Sequence, residues 1–175
     1  MLACAFSLSN GAGAADATTV PAAGMLSVSA AIPVAAKANA ATALPVAANL
    51  AVDGAAARGE RVPVLLFFNR DGCPYCERAL REYLGPMYRD PAYAGRVLFR
   101  QIEIDKPTRL VDFGGRTTTH SEFASRYKIR LTPTIWFVDG NGNRLADPIV
   151  GLPTVDFFGF YLDQAINDSR AKLQR

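Results

Sequence analysis

The clearest apolar block in the chain is Val64-Leu65-Leu66-Phe67-Phe68, entered through Pro63 and left through Asn69-Arg70-Asp71-Gly72. An unbroken run of that length predicts a strand buried on both faces, and the four residues after it are turn chemistry. Before it, Ala47 to Arg58 carries good helix formers with Gly59 as a stop, although Gly54 counts against a helix there. Cys73 to Leu84 has a helical pattern that Gly85-Pro86 is expected to end. Asp90-Pro91 begins another short helix. Val97 to Ile104 is rich in strand formers.

Farther on, Asp112 to Thr117, with Gly114-Gly115, reads as a turn or small hairpin. Thr119-His120-Ser121-Glu122 is a capping box for a helix reaching about Tyr127. Thr134 to Val138 is a third strand, and Asp139-Gly140-Asn141-Gly142 is a hairpin turn. Arg144 to Val150 is a fourth strand, placed at an edge because Pro148 cannot donate to a ladder. Thr154 caps a last helix, in which Val155, Phe158, Leu162, Ala165 and Ile166 keep helical spacing. The first two strands are joined through a helix and should be parallel; the last two should form an antiparallel hairpin. The fold class is α/β, a mixed central sheet with helices on both faces.

The N-terminal quarter has a different pattern. Residues 15–45 are rich in Ala, interrupted by Pro21, Pro33 and Pro45, without an aromatic residue. They bury too little to offset ordering entropy and read as a flexible tether ahead of a domain spanning 46–175. Residues 1–14 resemble the end of an export signal, with apolar Met1 to Leu8 and an A-x-A-like site at Ala12-Gly13-Ala14. Met1-Leu2-Ala3-Cys4 loosely matches a bacterial lipoprotein box, which would put a lipid anchor on Cys4; a leftover signal-peptide cysteine is the competing reading. No segment reaches the roughly 18 apolar residues that a membrane span needs.

Composition narrows the function. The formal net charge is +3 over 175 residues, and the basic residues are scattered, which argues against a nucleic-acid partner. Two of the three cysteines form Cys73-Pro74-Tyr75-Cys76. Cys73 falls after a buried strand and turn, at the start of a helix, where unpaired backbone N–H groups and the helix dipole favour a thiolate. Its pKa should lie below the free value of about 8.5. The two-residue spacing brings Cys76 one turn away, so Cys73 is the exposed attacker and Cys76 resolves the mixed disulfide. Pro74 suits an early helical position, and Tyr75 is free to touch substrates.

A zinc site needs about four ligands, and only Cys4 and His120 remain as soft donors, so no metal or other cofactor is expected. A purely structural disulfide would close a loop too small to remove much unfolded-state entropy. Thr132-Pro133, ahead of the third strand, is a candidate cis peptide. His120 is expected at the surface in a helix N-terminal turn, Trp136 in the core, and Phe157, Phe158, Phe160 and Tyr161 as core plus rim. Glu103 and Asp105 are read as solvated charges.

Val64–Phe68, Cys73–Cys76, Ile104-Asp105, Tyr127-Lys128-Ile129, Thr132-Pro133-Thr134, Asp139-Gly140 and Val150-Gly151 resemble the thioredoxin superfamily in order and spacing. Within it, Asp112-Phe113-Gly114-Gly115-Arg116 followed by Glu122 and Tyr127 resembles the periplasmic SoxW-like thioredoxins. The resemblance implies a thioredoxin fold and thiol–disulfide exchange in the periplasm. It also implies protein disulfides as substrates, with a membrane or soluble thiol as electron donor. Pro133 would be cis against the cysteines, and the Thr132 backbone would receive the substrate chain. The chain departs from the family at Phe67, where thioredoxins place a buried Asp that serves the resolving cysteine. Pro-Tyr between the cysteines is the glutaredoxin dipeptide, but Gly114-Gly115 precedes Pro133 instead of following it, so glutathione use is not expected. The alternative function is a non-catalytic thioredoxin-like binding module or metal chaperone.

Overall fold

The computed structural model describes residues 43–152 and 154–175. The expected export-signal remnant, Cys4 and nearly all of the expected tether lie outside them. The described chain runs α1 (Leu50–Glu60), β1 (Val64–Asn69), α2 (Pro74–Ala79), a π-helical turn (Leu80–Leu84), α3 (Gly85–Arg89) and a 3-10 turn (Pro91–Tyr93). Then come β2 (Leu98–Glu103), β3 (Arg109–Val111), β4 (Thr117–Thr119), α4 (His120–Arg126), β5 (Thr134–Val138) and β6 (Ile149–Val150). A second 3-10 turn (Val155–Phe157) leads into α5 (Phe158–Leu173).

The main sheet has the order β2-β1-β5-β6, with β1 parallel to β2 and antiparallel to β5. Every residue of β1 and β5 is buried, as their unbroken apolar runs require of central strands covered on both faces. Alternation along β1 divides the core. Leu65 and Phe67 join Ile135 and Phe137 under α2, α3 and α5, where Ala79, Met87, Phe158, Leu162 and Ile166 pack. Leu66 and Phe68 join Trp136 and Val138 under α1 and α4, where Leu50, Ala57, Phe123 and Ala124 pack. Each large apolar side chain buried in this way contributes about 1.5–3 kcal/mol.

Four local expectations are corrected. Gly85-Pro86 does not end the second helix. The chain widens into a π turn, Gly85 N–H bonding Leu80 C=O, and Pro86 then stands at the start of α3, where its missing N–H costs little. The fourth strand is only Ile149–Val150 plus a bridge between Arg144 and Val138, because Pro148 interrupts it. His120 is wholly buried instead of exposed: its Nδ1 accepts Glu103 N–H (3.0 Å) and its Nε2 donates to Ala47 C=O (2.8 Å). Packing starts before Val46, since Leu44 is buried and Pro45 C=O accepts Gln101 N–H (2.9 Å).

Two contacts bind the periphery. The backbone of α1 meets the Asp139–Asn143 turn so closely that a Cβ at Gly54 would lie 2.2 Å from Gly140 O. Arg58 locks the same approach, donating to Gly140 C=O and to Asn141 Oδ1. The glycine that weakened the helix reading is therefore what lets α1 dock. Asp112 anchors the β3–β4 hairpin, accepting from the Gly114 and Arg116 amides (both 3.0 Å), from Arg116 Nε, and from Arg126 of α4 (2.8 Å). Burial pushes the Asp112 carboxyl up, but the Arg116 amide and the Arg126 guanidinium outweigh it and hold it below its usual range.

Gly54→Ala should destabilise the fold by about 1–3 kcal/mol, although Ala is the better helix former, because backbone must move; denaturant midpoints would measure this. A depressed folded pKa supplies stability above the unfolded value of about 3.9 that is lost as pH falls through the folded value. Asp112→Asn should therefore cost about 1–3 kcal/mol at pH 7 and flatten the acid limb of a stability–pH curve. Parallel acid limbs for the variant and the parent would contradict this.

Candidate functional site

β1 ends at Asn69, and the chain turns through Arg70, Asp71 and Gly72, the last at φ 63°, a backbone that glycine adopts freely. The turn is held from β2's far end: Asp105 accepts Asp71 N–H (3.1 Å), and Lys106 pairs with the Asp71 carboxylate. Asp105, read from sequence as a solvated charge, thus fixes the approach to the cysteines.

Cys73 is the N-cap of α2, with extended backbone, and Pro74 follows at the first helical turn. Cys76 N–H donates to Cys73 Sγ at 3.2 Å and to Cys73 C=O at 3.0 Å. The two sulfurs are joined in a disulfide. Cys73 is 5% exposed and Cys76 2%, so in the disulfide form the expected contrast between an open and a shielded sulfur is small. The asymmetry lies in what touches Cys73. The Thr132 hydroxyl donates to its Sγ (3.5 Å), and Thr132 C=O lies 3.7 Å away. Sequence reasoning gave Thr132 only a backbone role; its hydroxyl on the sulfur follows from the loop's placement across the sheet.

The Thr132–Pro133 peptide is cis. Its loop is pinned at both ends: the Thr134 hydroxyl donates to Leu131 C=O (2.7 Å), and Gly151 N–H donates to Pro133 C=O (2.7 Å). Pro133 is buried, whereas Pro74 and Tyr75 are exposed, Tyr75 at 64%. All six site residues expected from sequence therefore converge where β1, α2 and the loop before β5 meet.

Phe67 is fully buried in the same cluster as both cysteines, so no carboxylate occupies that strand position. Asn69 and Gln101, on the same sheet face by alternation and register, bury amide oxygens without a partner among the described residues. An amide is not a base near neutral pH. Among the described residues there is no group of three or more His, Cys, Asp or Glu placed to hold a metal ion, and no helix is long and apolar enough to cross a membrane.

The family profile of the thioredoxin-like domain matches residues 50–166. No match was found among curated proteins. Solved structures with similarity include poplar thioredoxin h PtTrxh4 (22% identity, 67% of this chain and 86% of that chain, TM-score 0.47). The thioredoxin of Fasciola hepatica is another (16% identity, 71% and 97%, TM-score 0.48). A third is the periplasmic thioredoxin SoxS of Paracoccus pantotrophus in its reduced form (22% identity, 61% and 98%, TM-score 0.42). The family match covers the strand, the cysteine turn and the proline loop in one domain, so the chain belongs to the thioredoxin-like family and is, in that general sense, a thiol–disulfide oxidoreductase.

Proposed function

We propose that this protein exchanges its Cys73–Cys76 dithiol and disulfide with protein substrates in the bacterial periplasm. The observation that carries the assignment of roles is Cys73 at the N-cap of α2, its sulfur receiving the Cys76 amide and the Thr132 hydroxyl. Both donors point at that sulfur, where they stabilise negative charge.

In the reducing direction, the Cys73 thiolate attacks one sulfur of a substrate disulfide. A mixed disulfide forms and the second substrate sulfur leaves as thiolate. Cys76, its proton lost to solvent, then attacks Cys73 Sγ. The substrate departs as a dithiol with two electrons, and Cys73–Cys76 is left oxidised. A membrane or soluble thiol donor reverses these steps to reset the pair. Pro74, Tyr75, Thr132 and Pro133 receive the substrate chain, with Tyr75 and the Thr132 backbone as contacts. The export-signal character of residues 1–14 and the tether that follows support the compartment. The segment from Asp112 to Arg116, with Glu122 and Tyr127, supports a SoxW-like branch. In this structure Asp112, Arg116 and Glu122 build the β3–β4 hairpin and its link to α4, whereas Tyr127 packs against Phe123 and Trp136.

Reduced protein with Cys76 replaced should show a Cys73 thiolate, read by absorbance against pH, with an apparent pKa below about 8.5. A value at or above that would overturn the helix-end argument. Cys76→Ser should lose turnover of an insulin-type disulfide yet accumulate mixed disulfides that vanish on reduction. Cys73→Ser should trap little. Equal trapping by both variants would refute the assignment of nucleophile, and stoichiometric metal binding without trapping by either would favour the binding-module reading.

A further inference from the structure

Beside the Thr132–Pro133 loop, on the α4 side of the sheet, two depressions of about 260 and 380 Å³ share Tyr127, Lys128 and Trp136 in their walls. They make one groove. At its near end are Leu131 and Val150, 66% and 45% exposed, next to the residue that touches Cys73 Sγ. At its far end is Arg144, stacked 5.4 Å above the Trp136 ring. Tyr127 packs edge-on against Trp136 and forms the floor with it.

The charge of this groove is one-sided. Lys128, Arg130 and Arg144 line it, and none is in an ion pair among the described residues. Arg126, also at the rim, is ion-paired with Asp112. Among the described residues, no Asp or Glu lines either depression. Three uncompensated cations around an aromatic floor make a surface that attracts carboxylates and accepts apolar side chains between them. Lys128 is exposed just after α4, on a left-handed backbone, φ 57°.

We infer that this groove binds an acidic, extended segment of the protein that carries the target disulfide. The occupant rests on the exchange reading above: a chain joined through sulfur to Cys73 passes Thr132 and meets the groove at Leu131. Carboxylates along that chain then face Lys128 and Arg130, and an apolar side chain lies on Tyr127 and Trp136. Recognition of this kind sets which disulfide proteins are engaged, and it weakens with salt.

Trp136 is the sole tryptophan of the chain, so its emission reports the groove directly and without any redox step. The oxidised full chain would be titrated with a short cysteine-free peptide of alternating glutamate and leucine, and with the matching lysine peptide. The expected result is saturable change with the acidic peptide, at an affinity roughly tenfold above the lysine peptide in low salt and converging in high salt. Lys128→Asp/Arg130→Glu should abolish or invert that preference; Asp tolerates the left-handed backbone at 128. Circular dichroism and exchange with a small aromatic disulfide would verify that the variant is folded and that its cysteines still react. Equal response to both peptides, or a preference unchanged in the double variant, overturns the inference. Acid-selective binding by a protein that exchanges no disulfide would instead refute the exchange reading while leaving the groove as an acidic-peptide site.

Discussion

Cys73 occupies the position where a buried strand hands over to a helix, and its sulfur acts as the capping group for that helix. The Cys76 N–H in the first turn of that helix is shared between Cys73 C=O and Cys73 Sγ, so the cap interaction and the chemistry use the same sulfur. This constraint fixes much else. The turn before it must be tight, hence Gly72 and the Asp71–Lys106 and Asp71–Asp105 contacts. The strand before it must be immobile, hence six buried residues in β1. The Thr132 loop must be held against the sulfur, hence its hydrogen bonds to the chain on either side.

The sheet transmits that constraint to the whole domain. β5 enters the sheet straight after Pro133 and pairs with β1 along its length, so the Thr132–Pro133 loop and the cysteine turn emerge from neighbouring central strands at one end. The two apolar clusters clamp this pair of strands from opposite faces. On one face α1 is seated by the contact of Gly54 with Gly140, and on the same face Asp112 ties the β3–β4 hairpin to α4. These contacts are remote from the sulfurs and act only through the rigidity of the strands that carry them.

What could be read from the sequence was what depends on local pattern. Val64 to Phe68, the capping box at Thr119 and Glu122, the Asp139 turn and the C-x-x-C spacing are each specified by a few adjacent residues, and each appears in the structure. What could not be read depends on contacts distant along the chain. Gly85-Pro86 looks like a stop because a regular helix excludes Pro there, and the π turn that accommodates it has no local signature. His120 looks exposed from its place in a helix cap, yet Ala47 and Glu103 close over it. Leu44 is one buried side chain at the end of an Ala-rich stretch and gives no period. The Thr132 hydroxyl on Cys73 Sγ links residues 59 apart, so the motif marked the residue without marking that contact.

Thiol–disulfide exchange requires the Cys73–Cys76 pair to be an exchanging couple and not a structural link. Its most direct test is the equilibrium of that pair against a graded glutathione redox buffer, read by thiol trapping of the full chain. The expected result is a reversible two-electron transition between roughly −270 and −120 mV, the span in which exchanging pairs of this fold operate. A pair that stays oxidised below about −300 mV, as structural disulfides do, would contradict it.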